Sequence, residues 1–469
     1  MALSRSARLG ALATAALSFC LIAAAPAPAP APHPGADGIG DPYFPQLGNG
    51  GFDVRHYGLD VAYDPGTDRL DGRTTITARA TRNLSSFALD LQKLTVTRIE
   101  VNGRRAQFTR AGDEIRITPR EALRKNRTFT VTVTYGGVPE PLTGPIVFGS
   151  DYGWMKTADG VFVACEPNAA STWFPSSDHP SDKAAFDIRI TAPKGLTSVS
   201  NGRLVGTYGK GGQRVAHWRS TKPMATYLAT ATIGKFDVRT GKTPAGTPIY
   251  VAVDPTLPAG DVDVYGITAE VTDHWSEVFG PYPFEETGAI VDDMPQAGFS
   301  LETQTKPIYS AVRSEGTIVH ELTHQWFGDA VSPHQWKDIW LNEGFATYGP
   351  WLWGEHKGRG SAHDAFRAAY DSRPADSAFW QTVVGDPQRD TMFASAVYQR
   401  GAMTLQVLRE RIGDKDFFRL LRTWVKEHRY GDASTADFVR LAEKISGEQL
   451  DGLFRTWLFT KGKPALPAR

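Results

Sequence analysis

Two histidines one helical turn apart, with a carboxylate beside the first, constrain this chain more than any other feature. They are His320, Glu321 and His324, within Thr317-Ile318-Val319-His320-Glu321-Leu322-Thr323-His324-Gln325-Trp326. Each residue of an α-helix turns about 100°, so the three fall within roughly 100° of arc and the two imidazoles can converge on one ion. Glu321 then stands beside the metal and not on it. Ile318, Val319, Leu322 and Trp326 give the same segment an apolar side, which predicts a helix with one face in a core.

A third ligand decides the kind of site. Glu343 follows after eighteen intervening residues, in the helix-like segment Leu341-Asn342-Glu343-Gly344-Phe345-Ala346. The rival pattern of three histidines needs Gly at 327 and His at 330, where this chain has Phe327 and Ala330. His334 lies in the turn-rich run Ser332-Pro333-His334 and is expected to face solvent. Two histidines, one glutamate and a water complete a four-coordinate zinc with an open position, an arrangement suited to Lewis-acid hydrolysis.

Composition narrows the setting. Arg5 and Arg8 precede an apolar run from Leu9 to Ala25 that passes into Pro-Ala repeats. Residues 1–36 are therefore expected to be a Sec-type signal peptide and spacer, which makes the protein secreted. An uncut membrane anchor is the other reading, because Pro26 directly follows the small residues Ala23-Ala24-Ala25. Phe19 before Cys20 does not suit a lipidated cysteine. Without the leader only Cys165 remains, so no intramolecular disulfide can form and stability must come from packing and metal. Basic and acidic residues number 51 each, and loss of Arg5 and Arg8 leaves 49 against 51, which excludes a nucleic-acid footprint. No later stretch is long and apolar enough to span a bilayer.

The remainder, about 430 residues, has room for two or three ordinary cores. From about Phe52 to Val238, short alternating runs such as Tyr57–Val61, Thr74–Ala78 and Thr128–Val133 predict a β-domain. Asn102-Gly103 predicts a tight hairpin, since both residues tolerate positive φ. Helical spacing takes over after Asp261. Val264, Ile267, Val271, Trp275 and Val278 predict one helix stopped by Gly280-Pro281, and Ser395–Ile412 predicts another, with Phe417, Leu420, Leu421 and Trp424 on the next. An extended segment at 297–305 interrupts this half, and alternation puts Glu302 opposite Phe299 and Leu301. The expected domains are 45–245 and 246–465.

These motifs resemble the aminopeptidase N family of gluzincins, which also includes bifunctional leukotriene epoxide hydrolases. The resemblance rests on His320 through Asp329, on Trp340 through Ala346, and on Phe279-Gly280-Pro281-Tyr282-Pro283-Phe284. Cys165-Glu166-Pro167, Asp178 through Lys183 and Val397-Tyr398-Gln399-Arg400-Gly401 match less specifically. The resemblance implies an α+β fold, a β-saddle domain followed by a thermolysin-like, α-rich zinc metallopeptidase domain, in a short form without the large C-terminal helical domain. It implies one zinc ion on His320, His324 and Glu343, with Glu321 as general base and Tyr398 as donor to the oxyanion. Glu302 and Glu166 match the pair that binds a substrate's α-amine. Two carboxylates near the metal would meet the charge of an ammonium entering a partly dry cleft. The family's Gly-x-Met-Glu-Asn segment is altered here to Phe299-Ser300-Leu301-Glu302-Thr303, and Ser300 is a candidate substrate contact within it. Asp329 and Asp338 are both near enough in sequence to orient a ligand imidazole, and the choice between them stays open.

The expectation is thus a secreted, monomeric zinc aminopeptidase acting on peptides with a free amino terminus. A thermolysin-type endopeptidase, an epoxide hydrolase and a catalytically silent peptide-binding protein are the alternatives.

Overall fold

In this computed structural model, residues 31–147, 149–258 and 261–466 are described. Most of the expected leader, including Arg5, Arg8 and Cys20, lies outside them. Its last residues do not: His33–Pro34 pairs with Leu84–Asp90 at the edge of a four-stranded sheet, so the segment expected as spacer already belongs to the β-domain by His33.

The alternating runs form the predicted strands. Phe52–Asp64, Arg69–Ala80 and Thr128–Gly137 are consecutive neighbours in an eight-stranded sheet, continued on the other side by Ala184–Pro193, Gln213–Met224 and Arg203–Lys210. Tyr57, Leu59, Val61 and Tyr63 are buried, whereas Asp60 between them is exposed, as a period of two requires. Asn102 and Gly103, at φ 50° and 73°, turn Thr95–Val101 back onto Arg104–Arg105. A five-stranded sheet contains Val161–Ala164, which is buried throughout and delivers Glu166 to the cleft.

The second half has its own sheet, in the order Asp237–Lys242, Pro248–Val253, Thr287–Val291, Ile308–Tyr309, Ser300–Leu301. Its first strand begins at Asp237, so the boundary expected at 245 falls inside this sheet. The hydrogen-bonding register explains the difference: Asp237 pairs with Val253, and that hairpin could not be divided between domains. Ser300–Leu301 is the edge strand, antiparallel to Ile308–Tyr309. The extended segment expected over 297–305 is regular only at these two residues.

The helices follow the apolar periodicity. Val264–Val278 ends before Gly280, and Glu315–Thr323 carries His320 and Glu321, with His324 capping its end. Glu343 lies on Trp340–His356. Ser395–His428 is broken at Gly413, where φ is 77°, which divides it as the spacing predicts. Among the described residues no helix is long and apolar enough to cross a membrane.

One crossing fixes the cleft. Gly344, next to Glu343, meets Gly401, one turn beyond Tyr398. A Cβ on Gly401 would come within 2.8 Å of the Gly344 Cα, and one on Gly344 within 3.0 Å of the Gly401 backbone. Backbone cannot yield as a flexible side chain can, so both positions need glycine for the helices to approach. Gly401→Ala is therefore expected to lower stability by about 1–3 kcal/mol, as overpacking does. Gly354→Ala, where an added methyl meets nothing, should instead gain up to about 1 kcal/mol. Urea denaturation of the two variants measures both signs.

Candidate metal centre and substrate cleft

His320 Nε2 and His324 Nε2 lie 3.3 Å apart. Glu343 Oε2 is 3.3 Å from the first and 3.6 Å from the second. Ligands bound at 2.0–2.1 Å in a tetrahedron stand about 3.3–3.4 Å from one another, so this triangle has the dimensions of a zinc face. Glu343 is 3% exposed and its Oε2 accepts no hydrogen bond, an orphan that a cation would satisfy. His324 Nδ1 lies 3.1 Å from the carbonyl oxygen of Phe327, which leaves Nε2 facing His320 and Glu343. The residues present therefore fit zinc.

Neither of the two aspartates considered for orienting an imidazole does so by a hydrogen bond. Asp338 accepts from Thr435 N and Oγ1 at 3.0 and 2.6 Å and anchors the start of the helix Thr435–Ser446. Asp329 accepts from Gln325 Nε2 at 2.7 Å. His334 is exposed, as expected, and pairs with Asp432.

Around the ligands the cleft is strongly acidic. Oxygens of Glu302 and Glu321 and a nitrogen of His324 all lie within 4.8 Å of one another. Burial, then Glu302, Glu343, Glu321 and Asp329, push the carboxyl of Glu166 well above its ordinary range. Burial likewise pushes Glu302 up to about 7, with Glu343 adding to it and His324 opposing. Burial also works against ionisation of Glu343, but His324 and His320 outweigh it and draw this carboxyl down to about 2. Burial disfavours a charged His324, yet Glu302 and Glu343 push it up to about 10. A pocket that holds a proton this firmly on an imidazole lacks positive charge, and a metal ion would supply it.

The other candidates are brought to the same place. Tyr398 stacks on His320 with ring centroids 6.1 Å apart and an interplanar angle of 16°. Burial, then Glu343 and the other cleft acids, raise its phenol well above the ordinary value, so it keeps its proton. Ser300 sits on the edge strand with a buried Oγ that has no partner, and Glu166 Oε1 and Glu302 Oε1 are also unpartnered.

Residues 294–457 match the peptidase family M1 domain and residues 54–228 the peptidase M1 N-terminal domain. The chain superimposes on the M1 zinc metallopeptidase from Deinococcus radiodurans with a TM-score of 0.86 and 30% identity, over 92% of this chain and 99% of that one. It belongs to peptidase family M1. A mutant of the same Deinococcus peptidase, bound to a Tyr-Ser-Ala substrate, is 29% identical with a TM-score of 0.86. Among sequences, a probable aminopeptidase 2 from Sulfurisphaera tokodaii is 26% identical over 63% of this chain and 41% of its own length. The glutamyl aminopeptidase of Mus musculus is 25% identical over 88% and 47%. The chain thus spans half or less of the length of these aminopeptidases.

Two residues of this M1 peptidase carry weight that the motif alone did not disclose. Lys183, in the β-domain, donates from a buried Nζ to the carbonyls of Asp329, Ala330 and Gly431 at 2.7, 3.1 and 3.1 Å. Gln325, directly after His324, is 0% exposed and spends its whole amide on neighbours. A buried amide beside the second histidine was a signal available in the sequence, whereas the reach of Lys183 across the domains was not.

Zinc should bind at one ion per chain, read by elemental analysis after dialysis, and Glu343→Ala should abolish stoichiometric binding. Because the ligand triangle exists only in the folded state, a chelator should lower Tm. Zinc at a hundredfold excess over Kd should restore about 2.7 kcal/mol.

Proposed function

We propose that this M1 peptidase is a zinc-dependent aminopeptidase that removes the first residue of peptides, and that it acts as a secreted enzyme after removal of a leader that ends before the strand His33–Pro34. The observation that carries the reading is the pair of carboxylates beside the ligand triangle, Glu302 and Glu166, each with a buried oxygen that no protein group satisfies. An α-ammonium supplies the missing donors and the missing charge together. An acetylated terminus or a peptide interior offers a single N–H and no charge, and leaves at least one acid unpaired. The aminopeptidases among the relatives, and the tripeptide in the Deinococcus mutant, support the same direction.

Zinc on His320, His324 and Glu343 would supply Lewis acidity to the scissile carbonyl and the attacking water. Glu321, 6% exposed, accepts the proton that the water gives up. Burial, with Glu302 and Glu343 adding, raises its proton affinity well above that of an ordinary carboxylate, in the direction a base in this role needs. Tyr398 remains protonated and donates to the carbonyl oxygen as charge develops there. Ser300, on the edge strand, offers its hydroxyl to substrate backbone lying alongside.

One peptide with a free and with an acetylated terminus separates the possibilities by mass spectrometry. Stepwise loss from the free form alone is expected, and internal cuts in both forms would make the protein an endopeptidase. Glu321→Gln should keep zinc and lose turnover; retained turnover would remove it from the role of base. Tyr398→Phe should lower kcat by about a hundredfold or more, and an unchanged kcat would return the ring to a packing role.

A further inference from the structure

We propose that Gln325 is the positioning residue for Glu302, and that its amide sets the recognition of a free α-ammonium by holding that carboxylate in register with the metal ligands. The inference rests on the aminopeptidase reading above and adds to it the group that makes the amine site rigid.

A side-chain amide has two donors and two acceptor sites. In Gln325 all four are used. Its Nε2 donates to the main-chain oxygen of Glu302 at 3.2 Å and to Asp329 Oδ2 at 2.7 Å. Its Oε1 accepts from the main-chain N–H of Thr305 at 2.8 Å and from the Tyr282 hydroxyl at 3.2 Å. The amide therefore grips the substrate-side segment at both ends of Glu302–Thr305, a stretch held in an unusual shape, since Thr305 has a φ of 72°.

The side chain of Glu302 is held by its own main chain, whose N–H donates to its carboxylate. Its Oε1 is buried without a partner, so its placement depends on its own main chain. The β-domain grips the far side of the segment: Asn201 Nδ2 donates to Gln304 O at 2.9 Å and Gly202 N to Thr305 Oγ1 at 2.8 Å. Those contacts place the segment against the β-domain. Gln325, adjacent in sequence to His324, is what ties it to the ligands, and Asp329 is held in turn through its carbonyl by Lys183. Tyr282, Gln325, Asp329 and Lys183 thus form one frame around Glu302.

Positioning through Glu302 differs measurably from a general structural role. Two residues that act through one interaction give non-additive losses, whereas independent damage adds. The test is a double-mutant cycle of Gln325→Met and Glu302→Gln, reading kcat and KM for Tyr-Ser-Ala, the Kd of free L-tryptophan by calorimetry, and zinc content. Gln325→Met alone is expected to raise KM and the Kd and to lower kcat/KM by about tenfold to a hundredfold, the scale of a misplacement near 1 Å. In the Glu302→Gln background the same change should cost less than about threefold, with one zinc per chain throughout. Equal losses in both backgrounds would overturn the proposal. Should Gln325→Met not fold, Gln325→Asn serves the same cycle, since it keeps an uncharged amide in the polar surroundings but is one methylene too short to hold the Glu302 carbonyl. Loss of zinc in both variants would also overturn it, because the amide would then be holding the metal ligands themselves. Failure of the native chain to release tyrosine from Tyr-Ser-Ala would sink the aminopeptidase reading and this inference with it, and is seen before any variant is made.

Discussion

Five carboxyl groups, those of Glu166, Glu302, Glu321, Asp329 and Glu343, lie close enough in one buried cleft to feel one another's charge. Withdrawing a carboxylate from water is costly unless a partner compensates it, and like charges in the same pocket increase the cost. The groups that oppose them are few: the two imidazoles, Lys183 through Asp329, and Arg313 through Glu321. The fold holds this arrangement in place, and it is the arrangement that calls for a cation.

Holding it takes rigid pieces from both halves of the chain. Glu166 comes from the β-domain, directly after a buried strand, while Glu302 comes from an edge strand of the second sheet and the ligands from two helices. The contact of Gly344 with Gly401 sets the distance between the helix that bears Glu343 and the one that bears Tyr398. Buried Lys183 joins the halves with three bonds to main-chain oxygens. Burial pushes its ammonium down to about 7, and the charges of Asp329 and Asp432 work the other way. Residues 302–305 are gripped by the β-domain on one side and by Gln325 on the other, so the acids are not free to relax apart.

What could be read in advance follows the physics that acts locally. The helix with His320 and His324 was legible because a period of 3.6 residues and an apolar face coincide there. The strands of the β-domain were legible because half-buried sheets alternate, and Asn102-Gly103 because few residues accept positive φ. Glu343 was legible from its spacing. Residues whose role depends on contacts far along the chain were named through the family resemblance and not by their local pattern. By local pattern alone Glu166 is a loop acid until Val161–Ala164 is placed in its sheet, and Tyr398 is one tyrosine among fifteen until Gly401 meets Gly344. Asp338 was a plausible partner for a ligand imidazole by proximity in sequence, yet its carboxylate anchors a helix start 97 residues away. The domain boundary was misplaced for a related reason. A strand shows its pattern in sequence but not its partner, and Asp237–Lys242 takes its partner from the second half.

The charge balance also limits what the cleft can accept. With a dication on His320, His324 and Glu343, the ion offsets Glu343 and Glu321, and Glu302 and Glu166 remain. Both are driven by burial toward the protonated form, Glu302 to about 7 and Glu166 well above the ordinary carboxylate range. Such a pair titrates together and shares its negative charge between both residues. Under the proposed function, one ammonium would meet that charge and find acceptors in the free oxygens of both residues. A neutral acetyl cap leaves the charge standing, and an uncompensated buried charge on this scale costs about 3–5 kcal/mol, enough for discrimination of a hundredfold or more. Under the proposed function, selectivity for a chain end needs no closed wall: the same surplus of acid that calls for a metal ion would also discriminate at the neighbouring subsite, provided Glu302 is held where an amine would arrive.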